Sequence, residues 1–295
     1  MKRLKGIFAG SPALPQFFIL LSAVLAGIVL LSCISLLSGY TAGGISVNRL
    51  RLYQLLSEVC VFLLPAWLAA WLCSRRPLSY LSVKRVTDVQ VWGLTFVSMF
   101  LLSPFITLTG FLNAQMKLPA CLYPVEEWMQ ALESSAREMT DLLLTGSEGL
   151  TVVFNLVVIA VGAGVGEEFF FRGAFRRILG RKIRNPHALI WIVAALFSLI
   201  HLQFYGFIPR LLLGAYFGYL VYWSRSIWLA VFAHFINNAV AVIGMSQPSL
   251  KDKSYISGEI AADELLFFVL LSFAGLFFFA ICLHRLYRRL KVVPA

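Results

Sequence analysis

Apolar residues run almost unbroken over eight stretches of the chain, at about 17–39, 53–74, 91–113, 150–171, 187–203, 205–223, 226–244 and 264–283. A helix needs roughly 20 such residues to cross a hydrocarbon layer, and the fifth and sixth runs are the shortest. The runs are continuous, not alternating in steps of two. A backbone in lipid must satisfy its own hydrogen bonds, so this pattern predicts helices and not a barrel. The expected fold class is all-α, a polytopic transmembrane helix bundle of about eight spans in a single integral domain over 1–295. The first run also ends near Leu30-Leu31-Ser32-Cys33, which faintly resembles a lipoprotein cleavage box, but its length and the poor fit of Leu31 favour a span over a cleaved signal. The segment 116–149 breaks the apolar pattern. Within it, 125–144 sets Trp128, Leu132, Met139 and Leu143 against Glu126, Glu127, Glu133 and Glu138. This predicts an amphipathic extracytoplasmic helix that lies on the membrane surface or caps the bundle.

Composition agrees with the pattern: 60% of the residues are hydrophobic and 13% charged, with a mean hydropathy of +0.83. Soluble domains carry about a quarter charged residues, so a soluble globular enzyme is excluded. A net charge of +11 would suggest nucleic acid in a soluble chain, whereas in a polytopic one the placement of the charges matters more than their sum. With the first terminus inside, 18 of the 25 Lys and Arg fall on one side, and ten of the 14 acids fall on the other. Both termini are therefore expected in the cytoplasm, with no nucleic-acid partner, in a membrane expected to be a bacterial inner membrane. The five cysteines include no CxxC pair and read as buried apolar side chains rather than disulfides or zinc ligands.

An ionisable group inside a span costs a few kcal/mol even on the mildest scale, so each needs a partner or a function. These groups are Glu58 in the second run, Glu167 and Glu168 in the fourth, His201 at the end of the fifth, Arg210 in the sixth, and His234 in the seventh beside Asn237 and Asn238. Glu168 and Arg172 stand four apart and would pair across one helical turn. Glu167 points about 100° away, with no cation at helical spacing on its own helix. The glycines of Gly162-Ala-Gly-Val-Gly166 would let another backbone or a peptide approach closely. His234 and Asn238 share a helix face. Glu167, His201, His234 and Asn238, on three helices, are the parts for attack of water on a carbonyl: a base, a water-orienting imidazole and donors for an oxyanion. They equally offer a carboxylate and two imidazoles to zinc or another divalent metal, with one position open. Read as continuous helices, the runs place Glu167 shallow, His234 and Asn238 at mid-depth and His201 near the far side. The residues meet only if the fifth helix starts below the surface or the helices tilt around a cavity. Arg210 and Glu58 are expected to snorkel or to pair with each other.

Glu167-Glu168-x-x-x-Arg172, Phe197-x-x-x-His201 and His234-x-x-x-Asn238, in that order, resemble the motifs of the CPBP family of intramembrane proteases, formerly called Abi. That family includes the type II CAAX prenyl proteases and bacterial relatives tied to bacteriocin processing or immunity. The resemblance covers roughly 148–244, about a third of the chain. It implies hydrolysis of a peptide bond in a membrane-associated peptide or protein, lipid-modified substrates included, with membrane lipid as a further partner. It also implies that Glu167 and His201 activate water, that His234 and Asn238 stabilise the oxyanion, and that Glu168 and Arg172 support the helix end. The family is described both as metalloprotease and as metal-free glutamate protease. If a metal is bound, its ligands would be Glu167, His201 and His234. The oxyanion role claims His234 as a donor, which favours a metal-free water. The alternative is a non-proteolytic bacteriocin-immunity or membrane scaffold protein. A proton-coupled transporter using Glu58, Glu167 and Arg210 is weaker, because the chain lacks related halves with matching broken helices.

Overall fold

The computed structural model describes residues 4–37, 46–146 and 149–292, and every regular element among them is helical. Lys2, Arg3, Glu148 and the last residues of the first expected run lie outside that range. The principal helices are α1 (Ala13–Leu37), α2 (Val47–Cys73), α3 (Val89–Ala114), α4 (Tyr123–Leu144), α5 (Gly149–Leu179), α6 (Pro186–Leu199), α7 (Phe207–Ser224), α8 (Trp228–Ser246) and α9 (Leu265–Val292). Among the described residues seven helices are long and apolar enough to cross a membrane, and α6 is a shorter apolar one. Each of the eight expected runs is thus a helix. Outward-facing α9 residues such as Phe267, Phe273 and Phe277 are more than 60% exposed. A row of bare phenylalanines is compatible with lipid and not with water, so the chain is an integral membrane protein.

The short α6 corrects the expected depths. Its 14 residues extend about 21 Å at 1.5 Å per residue, less than the roughly 30 Å of a hydrocarbon core. Asn185 caps its start, accepting from the N–H groups of His187 and Ala188 with Pro186 in the first turn. Its end is set by a reversal in which Leu202 takes a left-handed backbone (φ 54). One 3-10 turn, Phe204–Gly206, then leads into α7. α6 and α7 form a tight antiparallel hairpin, laced by Ser198 Oγ donating to the Phe207 carbonyl (2.7 Å). His201 therefore stands in the reversal at the hairpin tip, inside the bundle, and not at the far side of a full span.

Two elements hold the tip at that level. Asn113, at the end of α3, donates to the Phe204 carbonyl (3.0 Å) and accepts from the Ile208 N–H (2.7 Å). The amphipathic α4 lies across it, with Trp128 against the Phe204 ring (centroids 5.6 Å apart) and Glu133 accepting from the Tyr205 N–H (3.4 Å). The far end of α4 is anchored by Arg51 of α2, whose Nε donates to the Leu143 carbonyl (3.0 Å). α4 thus covers the hairpin tip.

Candidate active site

The site is built around α5, whose glycines admit neighbours on two sides. A Cβ on Gly164 would stand 3.4 Å from the Phe235 nitrogen of α8, and one on Gly166 would stand 3.0 Å from both the carbonyl oxygen and Oε2 of Glu58 in α2. Larger residues would wedge α5 away from both helices. Wide π-helical turns occupy Glu58–Leu63, Leu156–Gly162 and Phe169–Phe175, bracketing this contact. Such turns are rare and shift the angular phase of the residues beyond them. In α2 the wide turn also precedes Pro65, which has no N–H to offer the turn before it.

Glu168 and Arg172 form the expected pair, Nη1 to Oε1 at 2.8 Å, with both side chains essentially sealed from the surface. Arg172 also donates from Nη2 to the Gly214 carbonyl of α7 (2.9 Å), and its guanidinium lies 4.3 Å from the centre of the Phe197 ring. The same Glu168 oxygen faces His234 Nδ1 at 2.9 Å. Phe217 stacks on the His234 ring at 5.2 Å with 23° between planes. His234 is thus held at one nitrogen and one face, and its Nε2 is left to point at Glu167.

Glu167 is buried and makes no ion pair with Lys or Arg among the described residues. Instead its two oxygens face two imidazoles, Oε1 to His201 Nε2 at 4.0 Å and Oε2 to His234 Nε2 at 3.9 Å. The other ring nitrogen of His201 lies 2.7 Å from the Phe197 carbonyl. A carbonyl only accepts, so Nδ1 carries the hydrogen and a neutral ring presents a lone pair at Nε2. The separations near 4 Å exceed a direct hydrogen bond and match the span of one bridging water. Asn238 sits one turn beyond His234 on α8. Its Nδ2 donates to the Ile159 carbonyl (3.1 Å) and its Oδ1 accepts from Asn237 (3.2 Å).

The donor chemistry of Glu167, His201 and His234 suits a divalent metal, since each imidazole is fixed through its far nitrogen as metal ligands usually are. The spacing does not. Bonds of about 2.0–2.1 Å in a tetrahedral site put ligand atoms about 3.3 Å apart, and no trio of His, Cys, Asp and Glu among the described residues closes around a metal-sized point.

Of the seven motif residues, Glu167, Glu168, Arg172, Phe197, His201 and His234 thus converge on one region of the bundle, and Asn238 is tied to α5 through the Ile159 carbonyl. Arg210 and Glu58 do not pair with each other. Arg210 turns to Gln203 at the hairpin tip, donating to its carbonyl (3.2 Å) and Oε1 (2.8 Å). Glu58 takes a hydrogen bond from Gln54 (3.1 Å), and its other oxygen is buried against Gly166 with no partner. α2 begins at Val47, six residues earlier than expected, so Glu58 lies well inside its helix and not near the end. Gly214, Phe217 and Gln203 were not readable as site residues. A small residue and an aromatic in an apolar run carry no chemical signature until the fold places a guanidinium and an imidazole against them.

Comparison with known families matches part of the chain. Residues 149–240 match the family described as type II CAAX prenyl endopeptidase, Rce1-like, and that segment contains all three motifs. No curated protein and no solved structure matches the chain. The match agrees with the resemblance read from the motifs: this segment is similar to the CPBP/CAAX-protease family. At the level of that family, the match supports a CAAX-protease-like intramembrane endopeptidase, which acts on a peptide or protein.

Proposed function

We propose that this protein hydrolyses a peptide bond of a membrane-associated protein with a water activated by Glu167 and no metal. The observation that carries the reading is the convergence of both Nε2 atoms on the Glu167 carboxylate at 4.0 and 3.9 Å. A water bridging this gap would give one hydrogen to Glu167 and direct the other to the His201 lone pair, leaving its oxygen free to attack. As the oxygen–carbon bond forms, Glu167 takes the proton. When the carbon–nitrogen bond breaks, Glu167 returns that proton to the leaving amine. His234, held at Nδ1 by Glu168, presents Nε2 to the oxyanion as a donor. The second N–H of the Asn238 amide adds another donor. Glu168 and Arg172 act through His234, fixing its position.

The proposed substrate is a membrane-associated peptide segment, of the lipid-modified kind on CAAX-type reasoning, entering beside the hairpin tip where His201 is the most exposed of the three groups. From the charge asymmetry we assign the Arg-rich end of the bundle to the cytoplasm and the protein to a bacterial inner membrane. The test is cleavage of a peptide library by purified protein, with and without chelator. Glu167→Gln, His201→Ala and His234→Ala should each abolish cleavage while the folded protein remains. Cleavage by Glu167→Gln at the wild-type rate refutes the reading. Loss of activity on chelation that zinc restores refutes its metal-free form. In cells, protection that persists in Glu167→Gln identifies the non-proteolytic immunity or scaffold alternative.

A further inference from the structure

At the opposite end of the bundle from the hairpin tip, the described residues enclose a half-open cavity of about 1610 Å³. Its walls come from the α2–α3 connection and from the ends of α5, α7 and α9. Nine Lys and Arg line it, including Arg75, Arg76, Lys84, Arg85, Arg225 and Lys291, against a single acid, Asp88. That acid is already engaged by Arg289, which lies outside the lining (3.1 Å). Among the described residues none of the nine cations has a carboxylate partner. So many uncompensated charges around one space repel one another at a site whose aromatic walls exclude part of the water. An anion entering the cavity relieves that repulsion.

The cavity wall also shows what kind of anion fits. It includes Trp67 and Leu78, which are 44% and 53% exposed. Trp67 lies six residues before the end of α2 at Cys73, about 9 Å inside the span at 1.5 Å per residue. The lining therefore passes continuously from apolar surface at acyl-chain depth to a ring of guanidinium and ammonium groups at the helix ends. A soluble anion would use only the second half of that wall, whereas an amphiphile uses both. We infer that this cavity is a binding site for an anionic phospholipid, with the phosphate among Arg75, Arg76, Lys84 and Arg85 and an acyl chain along Trp67 and Leu78. The site is separate from the catalytic groups. Its nearest link to them is Arg176 in its wall, whose Nε donates to the Arg172 carbonyl (2.8 Å).

Native mass spectrometry of the full-length protein, titrated in detergent with phosphatidylglycerol or phosphatidylcholine, tests the assignment. Phosphatidylglycerol should bind saturably and about tenfold or more tightly than phosphatidylcholine, and inorganic phosphate at the same concentration should not displace it. The triple variant Arg75→Gln, Lys84→Gln, Arg85→Gln should weaken phosphatidylglycerol at least about tenfold, while Arg75→Lys with Arg85→Lys keeps it. Lys251→Gln with Lys253→Gln, outside the cavity, should leave it unchanged. Should the triple variant fail to fold, Arg225→Gln and Lys291→Gln are read singly for the same loss. No preference between the two lipids, or unchanged binding in the neutralised variants, overturns the proposal. Equal displacement by inorganic phosphate overturns it in favour of a soluble-anion site. No readout depends on cleavage, so failure of the protease reading would leave this test intact.

Discussion

Replacement of Arg172 by methionine isolates the buried network behind His234. The wild-type side chain makes the 2.8 Å pair with Glu168, the 2.9 Å bond to the Gly214 carbonyl and the 4.3 Å contact with Phe197, all inaccessible to solvent. Methionine fills much of the same volume, so little of the cost arises from a cavity. What remains is Glu168, a sealed carboxylate left facing only His234. Removing one partner of a buried pair costs about 3–5 kcal/mol, mainly from the stranded charge. Glu168→Gln in the Arg172→Met background removes that charge. The double variant should therefore be less destabilised than Arg172→Met alone, with a coupling energy of about 2–3 kcal/mol. Reversible unfolding in mixed micelles measures all four corners of the cycle. Additive losses, or a cost below about 1 kcal/mol for Arg172→Met, would refute the account of Glu168 as a charge held by Arg172. Cleavage should fall in every corner but wild type, because each change loosens His234.

Gly214→Ala would place a Cβ 3.1 Å from both Arg172 Nη2 and Phe197 Cδ1, and should cost about 1–3 kcal/mol by overpacking, read by the same unfolding assay. Asn155 in α5 is fully buried with neither amide atom partnered, so Asn155→Leu should leave stability unchanged or raise it by about 1–3 kcal/mol; a loss of that size would show a hidden polar partner. Trp128→Ala removes the aromatic contact that holds α4 on the hairpin tip, and should speed protease nicking of α4 and lower cleavage of large substrates more than of short peptides. Equal effects on both would show that α4 plays no part in access.

The helical class and the position of nearly every span were legible in the chain, because a helix in lipid announces itself by an unbroken apolar run whatever it packs against. The pairing of Glu168 with Arg172 was legible for a similar reason: four residues along one helix are neighbours by local geometry. The partner choices of Glu58 and Arg210 were not. Both are single polar groups in apolar runs, expected to snorkel or to pair with each other; Glu58 instead takes a neutral partner one turn back on its own helix, Gln54, and Arg210 takes Gln203, which only the turn at the hairpin tip brings within reach.

His201 shows the boundary between the two kinds of knowledge most clearly. That this imidazole, Glu167 and His234 belong to one motif set is legible in the chain alone, since three spaced motifs are a property of the string. Counted along continuous helices, however, His201 came out near the far side, and whether a sunken fifth helix or a tilt around a cavity brought it to the others stayed open. Its place beside Glu167 comes from the folded bundle: a helix that stops after 14 residues, a left-handed reversal at Leu202 and a tip pinned by Asn113 and α4. Hydropathy records where a segment can lie in lipid. The level at which a chain turns back is set by side chains from other helices that receive its backbone groups, and those partners are far away in sequence.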